Sequence, residues 1–334
     1  MFVTSDIFDL RQIGWALDVD WRENLICGVD VHGSVWPGIE PAAEFMVAAA
    51  KKCGLFEEIR YASYHVPGED RSRLIKPKSF EKIARGGLQG ALGANGLMLD
   101  GFREAVGAER NRIAFGGDAT GWAPWDRRDY VGEPPAGRQR SLHAHFLFPV
   151  QGDPLAVSSE LLRLAATSMG AEYGYVFIRD ALCRPRGYPM DSSVPPYFAP
   201  RGQVCRSEMD NWWGYATRRF WEEKHPLLRD LCQQNLLCER HLSAPVLSFG
   251  QLGCWINCEP GRGRLENLGE GRMLWSLTDA EMVAARPILN EAGLLLSCPE
   301  RVYRDLPGGV APADRPIPPR IDFRYEDGTK PTYH

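Results

Sequence analysis

Two imidazoles one residue apart, His143 and His145 in the run Leu142-His143-Ala144-His145-Phe146-Leu147-Phe148, share one face if that run is a strand. Some metal sites use this spacing, but a site also needs a third ligand and groups behind the ligands that orient them. No carboxylate or histidine is tied to the pair by spacing. Structural or partner-facing histidines are therefore expected, and no metal is assigned. A second candidate is the window holding His225, Cys232, Cys238, His241, Cys254 and Cys258. Structural zinc sites usually show tight two-residue knuckles, whereas here the spacings are Cys-x5-Cys, Cys-x2-His and Cys-x3-Cys with apolar flanks. Buried thiols are expected instead. The glycine-rich stretch Gly86-Gly87-Leu88-Gln89-Gly90-Ala91-Leu92-Gly93-Ala94-Asn95-Gly96 lacks the Gly-Lys-Ser/Thr ending that serves phosphate and magnesium. It also follows a helical segment, Ser79 to Arg85, and not a strand, so it reads as a turn region. No Gly-x-Ser-x-Gly elbow occurs. Cysteine–histidine catalysis stays open, because such groups assemble in space, yet nothing singles out one cysteine. No cofactor is expected.

The most unusual segment is Trp212-Trp213-Gly214-Tyr215-Ala216-Thr217-Arg218-Arg219-Phe220-Trp221. On a helix, Trp213, Ala216, Thr217 and Phe220 share one side, and Trp212, Tyr215 and Arg219 share its shoulder. Trp, Tyr and Arg are the residues most enriched in interface hot spots. Trp213 and Phe220 are expected in the core, where Trp255 and Trp275 would join them. Trp212, Tyr215 and Arg219 are candidate partner contacts. Charge adds a second set. Asp6, Asp9, Asp18, Asp20, Glu23, Asp30, Glu40 and Glu44 face only Arg11 and Arg22 before Lys51. Asp18, Asp20 and Glu23 are thus candidates for steering a basic partner, against the plainer reading of a solvated acidic surface.

These residues must be positioned by ordinary globular structure. The chain has 334 residues, 44% hydrophobic and 25% charged, enough for a real core. A formal net charge of −4 argues against a nucleic-acid binder. Nine cysteines cannot all pair within one chain, and several lie in apolar runs, which points to a reducing compartment. The N-terminal residues lack the pattern of a signal peptide, and no apolar run approaches the ~18 residues of a membrane span. A cytoplasmic protein without membrane contact is expected.

Three segments share one arrangement. Leu25–Val31 reads as a strand, Pro41–Lys52 as a helix ended by Gly54, and Ile59–Tyr64 as a strand. Leu142–Phe148 reads as a strand, followed by a helix with Asp153 as N-cap, Pro154 at its first position and Gly170 at its end, then the strand Tyr173–Ile178. After Arg272–Trp275, Thr278 and Glu281 form a capping box for a helix carrying Met282, Val283, Ile288 and Leu289, and Gly293 caps it before Leu294-Leu295-Leu296. Long stretches at 118–140 and 184–203, rich in Gly and Pro, read as loops. The expected fold is α+β, a layered mixed sheet with interleaved helices and long irregular loops. The expected organisation is an N-terminal α/β region over 1–183, a C-terminal α+β region over 205–305 packed on it, and an extended Pro-rich tail over 306–334.

The order Leu161-Leu162-Arg163-Leu164, Tyr173-Gly174-Tyr175-Val176, Leu247-Ser248-Phe249-Gly250, Gly253-Cys254-Trp255-Ile256 and Leu274-Trp275-Ser276-Leu277-Thr278 leading to Gly293-Leu294-Leu295-Leu296 resembles a known group. It is similar to bacterial immunity proteins encoded beside polymorphic and type VI secretion toxins, in particular those accompanying restriction-endonuclease-like toxins. The resemblance covers about residues 55–300 and carries over no individual functional residue. It implies a non-enzymatic inhibitor that binds a cognate toxin effector directly. Two other classes remain beside it: a cysteine- or metal-dependent enzyme, and a secretion-system adaptor.

Overall fold

The apolar run that opens at Leu25 becomes the central strand of a sheet to which neighbours are added on both sides. The computed structural model describes residues 2–3, 25–69, 72–104, 112–123, 139–180, 226–295 and 324–325. Its strands are β1 (Phe2–Val3), β2 (Leu25–Gly33), β3 (Ile59–His65), β4 (Arg73–Ile75), β5 (Gly96–Glu104), β6 (Arg112–Trp122), β7 (Ser141–Pro149), β8 (Tyr173–Asp180), β9 (Gln234–Cys238), β10 (Arg264–Gly269), β11 (Arg272–Ser276) and β12 (Arg324–Tyr325). A ten-stranded sheet has the order β10-β11-β9-β8-β2-β7-β6-β5-β3-β4, and β1 pairs separately with β12. The class is α+β, as expected. The pairing inside the sheet is antiparallel throughout and not mixed. Antiparallel sheets can leave one face to water or to a partner. The strands of 25–180 and those of 234–276 are joined through the pairing of β8 with β9.

One face of the sheet is covered by helices. In α1 (Ile39–Lys52), Ala42, Phe45, Met46 and Ala49 recur at helical spacing and are buried, while Glu40, Glu44, Lys51 and Lys52 are exposed. In α3 (Pro154–Ser168), Leu161, Leu162 and Ala165 face the same core. These meet Cys27, Val29 and Val31 of β2 and Leu142, Ala144, Phe146 and Phe148 of β7. Each large apolar side chain so buried contributes about 1.5–3 kcal/mol. Short α2 (Phe80–Ala84) packs on α1. The C-terminal part adds α4 (Glu239–Leu242), α5 (Leu252–Cys258) and α6 (Asp279–Glu291), with Trp255 and Trp275 fully buried as expected. The Arg262 guanidinium lies 4.7 Å from the Trp255 ring, and its carbonyl accepts from Trp275 Nε1 at 2.9 Å. No helix among the described residues is long and apolar enough to cross a membrane.

The caps stand where the sequence put them. Asp153 accepts from the amides of Leu155 and Ala156, and Thr278 and Glu281 form a reciprocal capping box. Three expectations are corrected. Residues 118–122 are not loop but the end of β6. β6 and β5 escape a propensity reading because glycines interrupt them, and those glycines serve close approach. At Gly117 a Cβ would lie 1.9 Å from the His145 carbonyl of the neighbouring strand. Val283 points to solvent, 74% exposed, and not to the core. Cys254 and Cys258 are exposed and not buried.

Gly117→Ala should lower the unfolding free energy by about 1–3 kcal/mol through overpacking, and Asp153→Ala by about 1 kcal/mol through loss of the cap. Urea unfolding of the two variants measures both, and a neutral Gly117→Ala would mean that the strands can part at no cost.

Candidate functional site

Strand alternation gives the second face of the sheet a different character. Asp30 and His32 on β2 point away from the helices, as do His143 and His145 on β7. The register sets Asp30 opposite His145 and Tyr175, and His32 opposite His143 and Tyr173. On the next strand Asp118 stands opposite His145. The result is a polar and aromatic row across the middle strands, built from positions two apart in each.

Asp30 is its centre. It is fully buried, and its two oxygens each meet one imidazole nitrogen: Oδ2 lies 2.9 Å from His32 Nε2, and Oδ1 lies 2.9 Å from His143 Nε2. The His143 contact is a cross-strand diagonal, within reach for a long side chain. The two rings stack, centroids 4.7 Å apart and planes 6° from parallel. Tyr173 stacks on His32 at 6.0 Å, and His241 from α4 stacks on Tyr173 at 5.2 Å. The Tyr173 hydroxyl accepts from the Arg229 amide, and Arg229 Nη1 donates to the Tyr175 hydroxyl, each at 2.8 Å. His145 Nε2 is 3.5 Å from Asp118 Oδ2. His32 and His145 are buried, and His143 is one-quarter exposed.

Burial by itself would push the Asp30 carboxyl up, but the flanking imidazoles of His32 and His143 outweigh it and hold the group well below the usual carboxylate range. Burial lowers His32, with Asp30 offsetting only part of the effect. Asp30 is thus a carboxylate between imidazoles, of which His32 is neutral and donates without carrying charge. Burial, reinforced by the nearby Arg240 charge, holds His241 well below its ordinary value. Chemically this is one carboxylate beside two imidazole nitrogens, with a single donor atom from each of Asp30, His32 and His143 lying within 4.8 Å of the other two.

The His143–His145 pair does share a face, but the sequence missed its real companions. Asp30 and His32 lie more than a hundred residues earlier. The signal that could have found them is the same one-residue spacing, Asp30-Val31-His32, inside an otherwise apolar strand. The cysteine window does not converge. Cys238 Sγ contacts His241 Nδ1 at 3.1 Å, but this is a local helix-capping contact, and burial raises the Cys238 thiol. Burial likewise pushes Cys27, hydrogen-bonded to Ser158, up to about 12. These are thiols and not nucleophilic thiolates. The candidate partner contacts Asp18, Asp20, Glu23, Trp212, Tyr215 and Arg219 lie outside the described residues, as does His225.

No family model matches the chain, and no curated protein matches it. Among solved structures it is similar to "Pseudomonas aeruginosa T6SS protein PA0821", with a TM-score of 0.47 and 14% identity over 81% of this chain and 77% of that one. A likeness of that depth identifies neither a family nor an activity.

The buried groups predict an acid dependence with two windows. A histidine whose folded pKa lies below its unfolded value binds fewer protons when folded. His32 and His241 therefore cost stability as pH falls below about 6.5, by up to about 1.4 kcal/mol per pH unit each. Asp30, depressed in the fold, stabilises above its unfolded value near about 3.9, and that contribution is lost as pH falls further, through the folded value. Unfolding free energy measured from pH 8 to 4 should fall below about 6.5, with a shallower slope in His32→Asn. An unchanged slope in that variant would remove His32 from the account.

Proposed function

We propose that this chain is an immunity protein that neutralises a cognate secreted antibacterial toxin, of nuclease type, by direct protein–protein binding in the cytoplasm, without catalysis of its own. The observation that carries the reading is an exposed apolar patch at one end of the second sheet face. Tyr61 of β3 is 56% exposed, Leu74 of β4 76% and Phe102 of β5 40%. The register puts all three on the face opposite the helices. Tyr61 and Phe102 meet edge to face, with centroids 6.2 Å apart. Paired exposed aromatics on a rigid sheet are what interface hot spots are made of. Ser63 and Asp100, two positions along from them on the same face, are both buried. The partner's chemistry follows from charge. A nuclease carries a basic cleft for its phosphate substrate, and an inhibitor with an acidic segment around Asp18, Asp20 and Glu23 would be steered to it. Trp212, Tyr215 and Arg219 would supply further anchors.

A second reading, a metal-dependent enzyme, draws on the converging Asp30, His32 and His143. Substrate turnover that disappears with chelation would favour it.

Affinity capture of the tagged full chain should return one stoichiometric protein whose expression alone kills cells and whose co-expression with this chain does not. Tyr61→Ala and Phe102→Ala should each weaken that complex by about 2 kcal/mol, roughly thirtyfold, with the thermal midpoint nearly unchanged. Absence of protection on co-expression would overturn the proposal, and unweakened binding by both variants would remove the patch from it.

A further inference from the structure

We propose that Asp30, His32 and His143 bind one divalent first-row transition-metal ion, of the zinc or iron type, through a carboxylate oxygen and the two Nε2 atoms. The proposal goes beyond the partner-binding reading and does not depend on it.

The first support is convergence. The Asp30 carboxylate lies 2.9 Å from each imidazole nitrogen. Neighbouring ligands held ~2.0–2.1 Å from a zinc ion are themselves roughly 3.0–3.4 Å apart. Each carboxylate oxygen therefore sits at ligand spacing from one ring, and one donor atom from each of the three residues lies within 4.8 Å of the other two. The rings present the same edge to it in a near-parallel stack. His143 is the member with surface exposure and so the one with freedom to tilt its Nε2 onto a shared ion.

The second support is the chemistry of the donor set. Two imidazoles with one carboxylate suit zinc and iron, and they leave coordination positions for water or a substrate. Magnesium and calcium ask for oxygen ligands and gain little from imidazole. Arg229 sharpens the choice. It is buried over the Tyr175 ring at 5.7 Å, a fixed positive charge beside the site. A cation here must be held by the strength of nitrogen donors, because net negative charge alone does not supply the affinity.

The third support is rigidity with access. The three ligands stand on two adjacent central strands paired without a break from Ile26 to Gly33. Ligands on strands keep their positions better than ligands on loops. Asp30 and His32 are buried while His143 reaches the surface, so an ion has a way in from one side. Each Nε2 faces an Asp30 oxygen at 2.9 Å, so a ring that coordinates an ion through Nε2 keeps its proton on Nδ1.

The test uses the full-length protein, stripped with chelator and titrated with Zn²⁺, Co²⁺ and Mg²⁺. Expected are one equivalent of bound Zn²⁺, a thermal midpoint that rises with free Zn²⁺, and visible Co²⁺ bands without a thiolate charge-transfer band. Mg²⁺ should do nothing. His143→Gln and Asp30→Asn should each weaken binding by more than about 100-fold, since even groups behind the ligands cost up to that factor. A Cys254→Ser/Cys258→Ser double variant should bind as the parent does. If Asp30→Asn does not fold, the surface-reaching His143→Gln and the parent's cobalt spectrum decide. No saturable one-equivalent binding, a thiolate band, or binding that survives His143→Gln would overturn the proposal.

Discussion

A carboxylate with no exposed surface stands at the middle of the largest sheet in this protein, and much around it answers to that fact. An ionised group taken out of water costs several kcal/mol unless its lone pairs are satisfied. Asp30 meets the requirement with one imidazole on each oxygen. The imidazoles in turn are stacked on each other, on Tyr173 and through it on His241. Arg229 closes the group by bonding to both tyrosine hydroxyls, through its amide to one and its guanidinium to the other. Bonds of 2.8–2.9 Å hold Asp30 to its two imidazoles and Arg229 to its two tyrosines, and ring stacking of His32 on Tyr173 joins the two sets.

This network is possible because the two faces of the sheet do different work. The helix-covered face buries Phe45, Leu161, Phe146 and their neighbours in one apolar cluster. The second face buries polar groups and tyrosines at its centre and exposes Tyr61 and Phe102 at one end. The paired strands also hold one donor atom each of Asp30, His32 and His143 within 4.8 Å of the other two.

Much of the frame was legible from local chemistry. Asp153, Thr278 with Glu281, and the glycines after three helices mark helix ends through backbone hydrogen bonds that are satisfied within a few residues. The strands of Leu25, Ile59, Leu142 and Tyr173 announce themselves through branched and aromatic side chains. β5 and β6 do not, because their glycines are chosen by the distance to a neighbouring strand, as at Gly117, and not by propensity. Val283 has the spacing of a core residue and lies in solvent, since a helix pattern does not say which of its arcs finds a partner.

By itself the sequence determined the alternation of elements, the α+β class, the shared face of His143 and His145, and the pairing of small residues with turns. Each depends on contacts a few residues long. The tertiary structure alone decided strand order, the antiparallel register, and with them the meeting of Asp30 and His143 across 113 positions. The physical reason is that register is set by which long-range pairings bury the most apolar surface on the helix face. The polar residues on the other face are brought together as its consequence, and no local pattern records that.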